Sequence, residues 1–441
     1  MTTYWLERAW TGSGPVRSGL VVDVEGGVFG RVEEGDPGSA TRLTGLTVPG
    51  LANCHSHAFH RALRGRTQRG RGSFWTWREQ MYAVAARLTP DSYLELARAA
   101  YREMVAVGFT SVGEFHYLHH GPGGTPYADP NAMSHALVTA AAEAGIRITL
   151  LDTCYLAAGI GSPPEGVQAR FSDGDAERWE VRVSGLDELG RPGSDVRLGA
   201  AIHSVRAVPR DQMAPVVGWA ERHAAPLHVH LSEQPAENDA CLAAYGATPA
   251  EVLAEAGALG PRTSAVHATH LTDSDVRLLG GSATSACFCP TTERDLGDGV
   301  GPSRALRDAG SPLTLGSDSH AVVDPFEEMR AVELDERLAT RQRGHWSAPE
   351  LLAAAAHDGH CSLGFEGVGR IETGARADLV TLDTSSVRTA GTGADEATAV
   401  FAASGADVVQ VVRDGVVVSH QDDRRAAGAD LDRVVRSLWE E

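Results

Sequence analysis

The chain has 441 residues, of which 42% are hydrophobic and 22% charged, and its formal net charge is −19. This length and composition are ordinary for a globular protein with one large and one smaller domain. The acidic balance and the lack of a basic stripe argue against a nucleic-acid partner, and no apolar run approaches the ~20 residues that span a bilayer. We therefore expect neither a nucleic-acid nor a membrane partner.

Two further features of the composition narrow the chemistry and the compartment. All 39 residues of the Lys+Arg count are arginine, which excludes reactions that depend on a lysine side chain. Six cysteines in a chain of this length do not make a disulfide framework, and the N-terminal segment "MTTYWLERAW" does not read as a signal peptide. These features predict a cytoplasmic protein.

The predicted elements divide the chain into three parts. Residues 1–48 read as short β segments separated by glycine turns. In residues 49–370, eight apolar β-type runs alternate with helical stretches such as 90–108 and 131–145. Residues 371–441 return to β segments and end in a short amphipathic helix. We predict an α/β fold: a (β/α)8 TIM-like barrel beside a small β-sandwich-like domain that the N- and C-terminal parts form together.

One connection within the predicted barrel is unusually long. Residues 157–175 are rich in glycine, serine, proline and aspartate and predict a loop. Loops of this length inside compact domains are often functional or mobile. The sequence assigns this loop no particular role.

Polar side chains collect at the ends of the predicted barrel strands, which is where barrels of this kind carry their chemistry. His55 and His57 share one face, because alternate residues of a strand point the same way. His230 ends the fifth run and Asp318 ends the eighth. Three imidazoles and one carboxylate suit Zn²⁺ or a similar divalent ion. These four residues are therefore candidate metal ligands.

Other residues near these positions favour a structural interpretation. His228 shares a face with the fifth-strand ligand but lies deeper, so a buried core position is favoured over metal binding. Cys287 and Cys289 suggest a thiolate pair, yet free cysteine is commonly buried, and a core position is favoured. Trp75 and Trp77 are expected to serve packing.

Several motifs in chain order resemble the amidohydrolase superfamily: "NCHSHAFHRAL", "HLSEQPAE", "VHATHL" and "LGSDSH". The HxxE pattern in "HVHLSEQ" resembles the deaminase branch, which uses one metal ion and no carboxylated lysine. More narrowly, "FWTWR", "EFHYLHH", "IHSVRAV" and "CPTTERDLGDG" are similar to the formimidoylglutamate deiminases. The resemblance covers residues 53–320 and therefore the whole predicted barrel.

The resemblance implies a reaction: hydrolysis of N-formimino-L-glutamate to N-formyl-L-glutamate and ammonia, in histidine degradation, with a metal-activated water. It also implies a small dicarboxylate substrate, a homodimer and one divalent ion per subunit, expected to be Zn²⁺. The residues implied to hold the ion are His55, His57, His230 and Asp318. Those implied to act on water and the leaving nitrogen are Glu233, His267 and Asp318. Those implied to bind the substrate are Arg78, Tyr117, His203, Arg206 and His60, of which His60 stands where many relatives have glutamine.

Two alternatives remain open on the sequence alone. Another deaminase of the superfamily, acting on a nucleobase, nucleoside or triazine, would use the same metal chemistry. A dicarboxylate needs cationic anchors such as Arg78 and Arg206, because guanidinium groups pair carboxylates bidentately. The structural alternative for Arg206 is a salt bridge to a carboxylate of the barrel.

The second alternative is a non-catalytic protein on the same fold. It is disfavoured, because such a protein should have lost some of the metal ligands.

Overall fold

The computed structural model describes residues 2–68, 72, 74–190 and 193–440. In chain order, its strands are β1 (Thr2–Ala9), β2 (Arg17–Glu25), β3 (Val28–Glu34), β4 (Thr41–Pro49), β5 (Leu51–Ser56), β6 (Phe109–His116), β7 (Arg147–Cys154), β8 (Val196–Ile202), β9 (Leu227–Leu231), β10 (Thr263–His267), β11 (Ser285–Phe288), β12 (Leu313–Leu315), β13 (Leu379–Leu382), β14 (Val408–Arg413) and β15 (Val416–His420). Its α-helices are α1 (Phe74–Arg87), α2 (Pro90–Ala106), α3 (Ala132–Ala144), α4 (Ala176–Val183), α5 (Met213–Arg222), α6 (Pro235–Tyr245), α7 (Pro249–Glu255), α8 (Asp273–Gly281), α9 (Pro290–Leu296), α10 (Ser303–Ala309), α11 (Pro325–Thr340), α12 (Ala348–Ala353), α13 (Gly359–Ser362), α14 (Glu396–Phe401) and α15 (Arg424–Glu440). Within this part of the chain, no helix is both long and apolar enough to cross a membrane.

The barrel consists of β5 to β12, which pair in chain order as one parallel sheet, and each strand is followed by at least one helix. It closes between the first and last strands, where the backbone amides of Ser317 and Asp318 donate to the carbonyl oxygen of His55 at 3.1 and 3.0 Å. Every residue of β6 and β7 is buried, as expected for strands covered on both faces. The predicted (β/α)8 barrel is confirmed.

Helix α2 shows how the local sequence sets the elements around the barrel. Thr89 and Ser92 form a capping box, in which Thr89 Oγ1 accepts from the Ser92 amide at 3.3 Å and Ser92 Oγ accepts from the Thr89 amide at 2.9 Å. Pro90 occupies the first turn, where its missing N–H costs nothing. Most of its buried residues recur at helical spacing, namely Tyr93, Leu96, Ala97, Ala100, Tyr101 and Met104. The helices predicted at 90–108 and 131–145 are confirmed as α2 and α3.

The small β unit is one seven-stranded sheet in the order β15-β14-β13-β4-β1-β2-β3. Strand β4 lies parallel to β1 and antiparallel to β13, so it joins the two ends of the chain. This confirms a small β unit built from both terminal parts, while the boundaries predicted at 48/49 and 370/371 stay a prediction. The predicted C-terminal helix is also present, as α15.

A buried ion pair ties the N-terminal end of the barrel to the small sheet. Arg147, the first residue of β7, donates from Nη1 and Nη2 to the two carboxylate oxygens of Asp378, at 2.5 and 3.0 Å. The Arg147 guanidinium also pairs with Asp414, at the turn between β14 and β15. Burial raises the pKa of Asp378, but Arg147 outweighs it and the pKa falls to about 2. Both Arg147 and Asp378 are therefore charged at neutral pH.

We expect Asp378→Ala to lower the free energy of unfolding by about 3 kcal/mol, because it leaves the buried Arg147 guanidinium without its bidentate partner. Since the pKa of Asp378 is lowered to about 2 in the folded protein, the stabilisation is complete above about pH 4 and lost as the pH falls towards 2. Urea unfolding at several pH values in this range measures both effects.

The control for this experiment is Asp432→Ala, which removes an exposed pair with Arg436 at 2.7 Å on α15. Such surface pairs contribute about 0–1 kcal/mol. Equal losses in the two variants would contradict the role given to the buried pair.

Candidate metal centre and substrate pocket

Four side chains converge at the C-terminal end of the barrel: His55, His57, His230 and Asp318. One ligand atom from each lies within 4.8 Å of all the others. The Nε2 atoms of His55 and His57 are each 3.3 Å from Asp318 Oδ1, and His230 Nε2 is 3.0 Å from His55 Nε2. All four residues are buried. The structure therefore brings together the four residues that the sequence indicates as ligands.

Hydrogen bonds behind the rings orient two of the histidines. His57 Nδ1 is 2.8 Å from the carbonyl oxygen of Phe115, and His230 Nδ1 is 3.0 Å from that of His203. A ring nitrogen must carry hydrogen to donate to a carbonyl, so in each neutral ring the Nε2 lone pair faces the centre. Burial lowers the pKa of His55 to about 4 and that of His230 well below its usual range. Converging neutral imidazoles with one carboxylate fit a divalent ion.

The backbone turns sharply where the strands end at the site. Asp318 has φ of 38° and His267 has φ of 69°, both in the left-handed region that non-glycine residues rarely adopt. Ser232, between His230 and Glu233, has φ of 50°. Such positions cost about 1–3 kcal/mol each and cluster at functional sites, although this chain also has them elsewhere, for example at Arg341. Here they accompany side chains that point into one shared space.

His267 lies among three carboxylates beside the four-residue cluster. Its Nε2 is 3.7 Å from Asp318 Oδ2 and 3.9 Å from Glu233 Oε1, and its Nδ1 is 3.4 Å from Glu293 Oε1. Burial lowers the pKa of His267, but the neighbouring carboxylates outweigh it and raise the pKa well above its usual range. His267 and Glu233 are thus placed to hold or pass protons beside the cluster.

A pocket with about 640 Å³ of empty space opens from the cluster. The residues that the resemblance implies for substrate binding all line it: His60, Arg78, Tyr117, His203 and Arg206. Rings complete the walls, namely those of Trp77, Tyr82, Tyr155 and Phe171. Glu233, His267 and Asp318 line the same pocket, so the candidate catalytic and binding groups share one cavity.

The two pocket arginines differ in their surroundings. The Arg78 guanidinium carbon lies 4.5 Å from the ring centroid of Trp75 and 5.6 Å from that of Tyr82. Among the residues that the structure describes, no carboxylate forms an ion pair with Arg78. Arg206 Nε lies 2.9 Å from Glu237 Oε2, and Nη2 lies 3.4 Å from Glu233 Oε2. Arg206 thus makes the salt bridge that was its structural alternative, while still lining the pocket.

His60 and Trp77 both line the pocket, whereas Trp75 is not among its lining residues. His60 is buried, and its Nε2 is 3.0 Å from the Tyr117 hydroxyl. Trp77 packs edge-on against His60 with centroids 5.0 Å apart, as a packing role predicts. Trp75 is 48% exposed and lies against Arg78 rather than in the core.

The residues given a structural interpretation lie outside the metal-ligand cluster. His228, Cys287 and Cys289 are buried, and none of them belongs to a group of potential ligands within the described part of the chain.

Two buried carboxylates of the site have no assignment from the sequence. Glu293 contacts His267, and its Oε1 also accepts from the Cys289 amide at 2.9 Å. Glu114 accepts from Ser56 Oγ at 2.8 Å and from the Ala58 amide at 2.7 Å, directly beside the first two ligands. Burial raises the pKa of Glu114 to about 7. Both residues lie in motifs that carry the resemblance, "CPTTERDLGDG" and "EFHYLHH", which is the only signal that points to them.

The chain is similar to known proteins over most of its length. The model of the amidohydrolase family matches residues 46–418. The chain belongs to the amidohydrolase family. This membership confirms the expectation of a metal-dependent hydrolase that acts on C–N bonds.

Three known proteins illustrate the similarity. Formimidoylglutamate deiminase of Pseudomonas aeruginosa is 37% identical over 398 residues, which cover 87% of this chain and 86% of that protein. The 8-oxoguanine deaminase of the same species is 32% identical over 357 residues, 78% of this chain and 76% of that one. The crystal structure of an amidohydrolase from Brucella melitensis matches the full length of both chains with a TM-score of 0.91 and 31% identity.

We expect His230→Ala to reduce the divalent metal content of the purified protein to near zero relative to the wild type, because one of four converging donors is lost. Elemental analysis by mass spectrometry after dialysis measures the stoichiometry. The matched control is His228→Leu, which changes a buried histidine of the same strand outside the cluster. Equal metal loss in both variants would contradict the ligand assignment.

Proposed function

We propose that the protein hydrolyses N-formimino-L-glutamate to N-formyl-L-glutamate and ammonia. The relative that is 37% identical over most of both chains supports this substrate. The observation that carries the proposal is Arg78, a pocket guanidinium with no carboxylate partner among the described residues, in the same cavity as the four-residue cluster. A glutamate derivative brings two carboxylates to such a cavity. Histidine degradation, a cytoplasmic location and a homodimer belong to the same proposal.

One divalent ion, proposed to be Zn²⁺, would be held by His55, His57, His230 and Asp318. Such an ion lowers the pKa of water from about 15.7 to about 7. The two oxygens of the Asp318 carboxylate face different groups. Oδ1 faces His55 and His57, whereas Oδ2 faces His267 at 3.7 Å. Oδ2 is therefore the oxygen proposed to accept the proton of the attacking water.

Glu233 is the group proposed to deliver a proton to the leaving nitrogen. Its Oε1 faces His267 at 3.9 Å and its Oε2 faces Arg206 at 3.4 Å, inside the pocket. Proton transfer by a positioned carboxyl group contributes about 10²–10⁴-fold to the rate. Glu293 contacts the Nδ1 side of the His267 ring. The ring is proposed to orient the attacking water between the carboxylates of Glu233 and Asp318.

The substrate carboxylates need local cations, because a protein of net charge −19 repels a dianion at long range. Dissolved salt screens charges beyond about 8 Å, so the charged groups of the pocket itself dominate the binding energy of the substrate. Arg78 is proposed to bind one carboxylate, since its charge is not neutralised by a described partner. Arg206, which lines the pocket together with Tyr117, His203 and His60, is proposed to bind the other carboxylate.

A nucleobase substrate is the second candidate, and two observations favour it. The 8-oxoguanine deaminase is 32% identical over 78% of this chain. The aromatic rings of Trp77, Tyr82, Tyr155 and Phe171 line the pocket and could stack on a flat base. A base offers the Arg78 guanidinium only neutral carbonyl and ring-nitrogen acceptors, whereas a carboxylate also neutralises its charge, so the dicarboxylate is preferred.

The test is ammonia release by the zinc-loaded protein from N-formimino-L-glutamate, N-formimino-L-aspartate, 8-oxoguanine and guanine. We expect turnover of the formimino-glutamate with at least a tenfold preference in kcat/KM, about 1.4 kcal/mol of transition-state binding. Faster turnover of a base would keep the metal chemistry and overturn the substrate.

We expect Arg78→Met to raise KM for N-formimino-L-glutamate about 10–100-fold while kcat changes little, because a hydrogen-bonded charge pair contributes about 1.5–3 kcal/mol to binding. Steady-state kinetics measure both constants. The control is Arg66→Met, since Arg66 also lies over a tryptophan, Trp439, at 5.0 Å but outside the pocket. An unchanged KM in the Arg78 variant would contradict the anchor.

A further inference from the structure

The long connection at 157–175, which the sequence leaves without a role, forms part of the pocket. Ala158 and Phe171 line the cavity. The connection contains a 3-10 turn, Gly166–Phe171, in which the polar side chains of Gln168 and Arg170 are buried. Buried polar groups must be hydrogen-bonded to be tolerated, so their partners indicate what the loop holds together.

Gln168 joins two walls of the pocket through two phenol groups. Its Nε2 donates to the Tyr155 hydroxyl at 2.8 Å and to the Tyr82 hydroxyl at 3.0 Å. Tyr155 follows β7 and packs edge-on against His203, with centroids 4.7 Å apart. Tyr82 belongs to α1, and its ring lies 5.6 Å from the Arg78 guanidinium carbon. One amide thus connects the barrel wall to the helix that carries Arg78.

The loop fixes both the amide and the end of α1. Gln168 Oε1 accepts from the Glu165 amide at 3.1 Å, which directs the two Nε2 hydrogens towards the phenols. Arg170, two residues later, donates from Nη2 to the carbonyl oxygen of Leu88 at 2.7 Å and from Nη1 to that of Ala85. These carbonyls lie at the C-terminal end of α1, so the loop holds the helix at two points.

We propose that Gln168 is a positioning residue that sets the spacing between α1 and the barrel wall, and thereby the length of dicarboxylate that the pocket accepts. This inference rests on the proposed function, because it assigns the two carboxylates to cations on those two walls, Arg78 and Arg206. A fixed distance between Arg78 and Arg206 suits a substrate whose two carboxylates are separated by one particular length. A homologue shorter by one methylene then loses contact with one of the two cations. Gln168 does not line the cavity, so it acts through Tyr82 and Tyr155.

The test is Gln168→Met, which keeps the length of the side chain and removes its hydrogen bonds. We expect KM for N-formimino-L-glutamate to rise about tenfold with kcat within about threefold, and the preference over N-formimino-L-aspartate to fall about tenfold. A merely structural role would lower kcat for both substrates together and leave the preference unchanged, and that result would overturn the proposal. The control is Gln212→Met, whose Oε1 accepts from the Ala176 amide outside the pocket.

A double-mutant cycle tests whether Gln168 acts through the phenol on α1. In a Tyr82→Phe background, the added Gln168→Met is expected to change KM less than about threefold, because the shared hydrogen bond is already gone. Full additivity of the two changes in KM would overturn the proposal.

Hydrogen exchange separates failure of this inference from failure of the proposed function. If the wild-type protein releases no ammonia from N-formimino-L-glutamate, the proposed function fails, and the positioning of α1 by Gln168 is then judged by amide exchange in α1. Faster exchange over residues 74–87 in Gln168→Met, but not in Gln212→Met, supports the positioning role. Unchanged exchange in α1 overturns it.

Discussion

The carbonyl oxygen of His55 accepts hydrogen bonds from the amides of both Ser317 and Asp318, and these bonds join the last barrel strand to the first. The buried side chain of Asn53 adds to the same junction, since its Oδ1 accepts from the Ser317 amide and its Nδ2 donates to Ser317 Oγ. Two of the four candidate ligands therefore belong to the residues that close the barrel. An ion bound across this junction would link the first and last strands, so the same contacts shape the fold and the reaction centre.

Acidic side chains outnumber basic ones around this junction. Glu233, Glu293, Asp318 and Asp298 surround the space next to His267, and Arg206 is already engaged with Glu233 and Glu237. Burial and the neighbouring Glu233 raise the pKa of Asp298 to about 8. A divalent ion at the centre would offset this excess of acidic groups.

The sequence predicts a site residue where the position of that residue follows from a repeating pattern. His55 and His57 share a face through the period of a strand, and His230 and Asp318 follow from parallel strands that end at one rim. Glu114 and Glu293 could not be assigned in this way, because their roles depend on which distant groups they reach across the barrel. Gln168 is a clearer case, since its partners Tyr82 and Tyr155 lie 86 and 13 residues away in the chain.

The small sheet has a consequence for how the protein is made. Strand β4 near residue 45 pairs with β13 near residue 380, so its edge has no β13 partner until most of the chain has been synthesised. Contacts between such distant segments fold slowly, and an unpaired strand edge can pair with other chains in the meantime. A nascent or C-terminally truncated chain thus exposes an unpaired, aggregation-prone edge of β4, whereas the completed chain pairs this edge with β13.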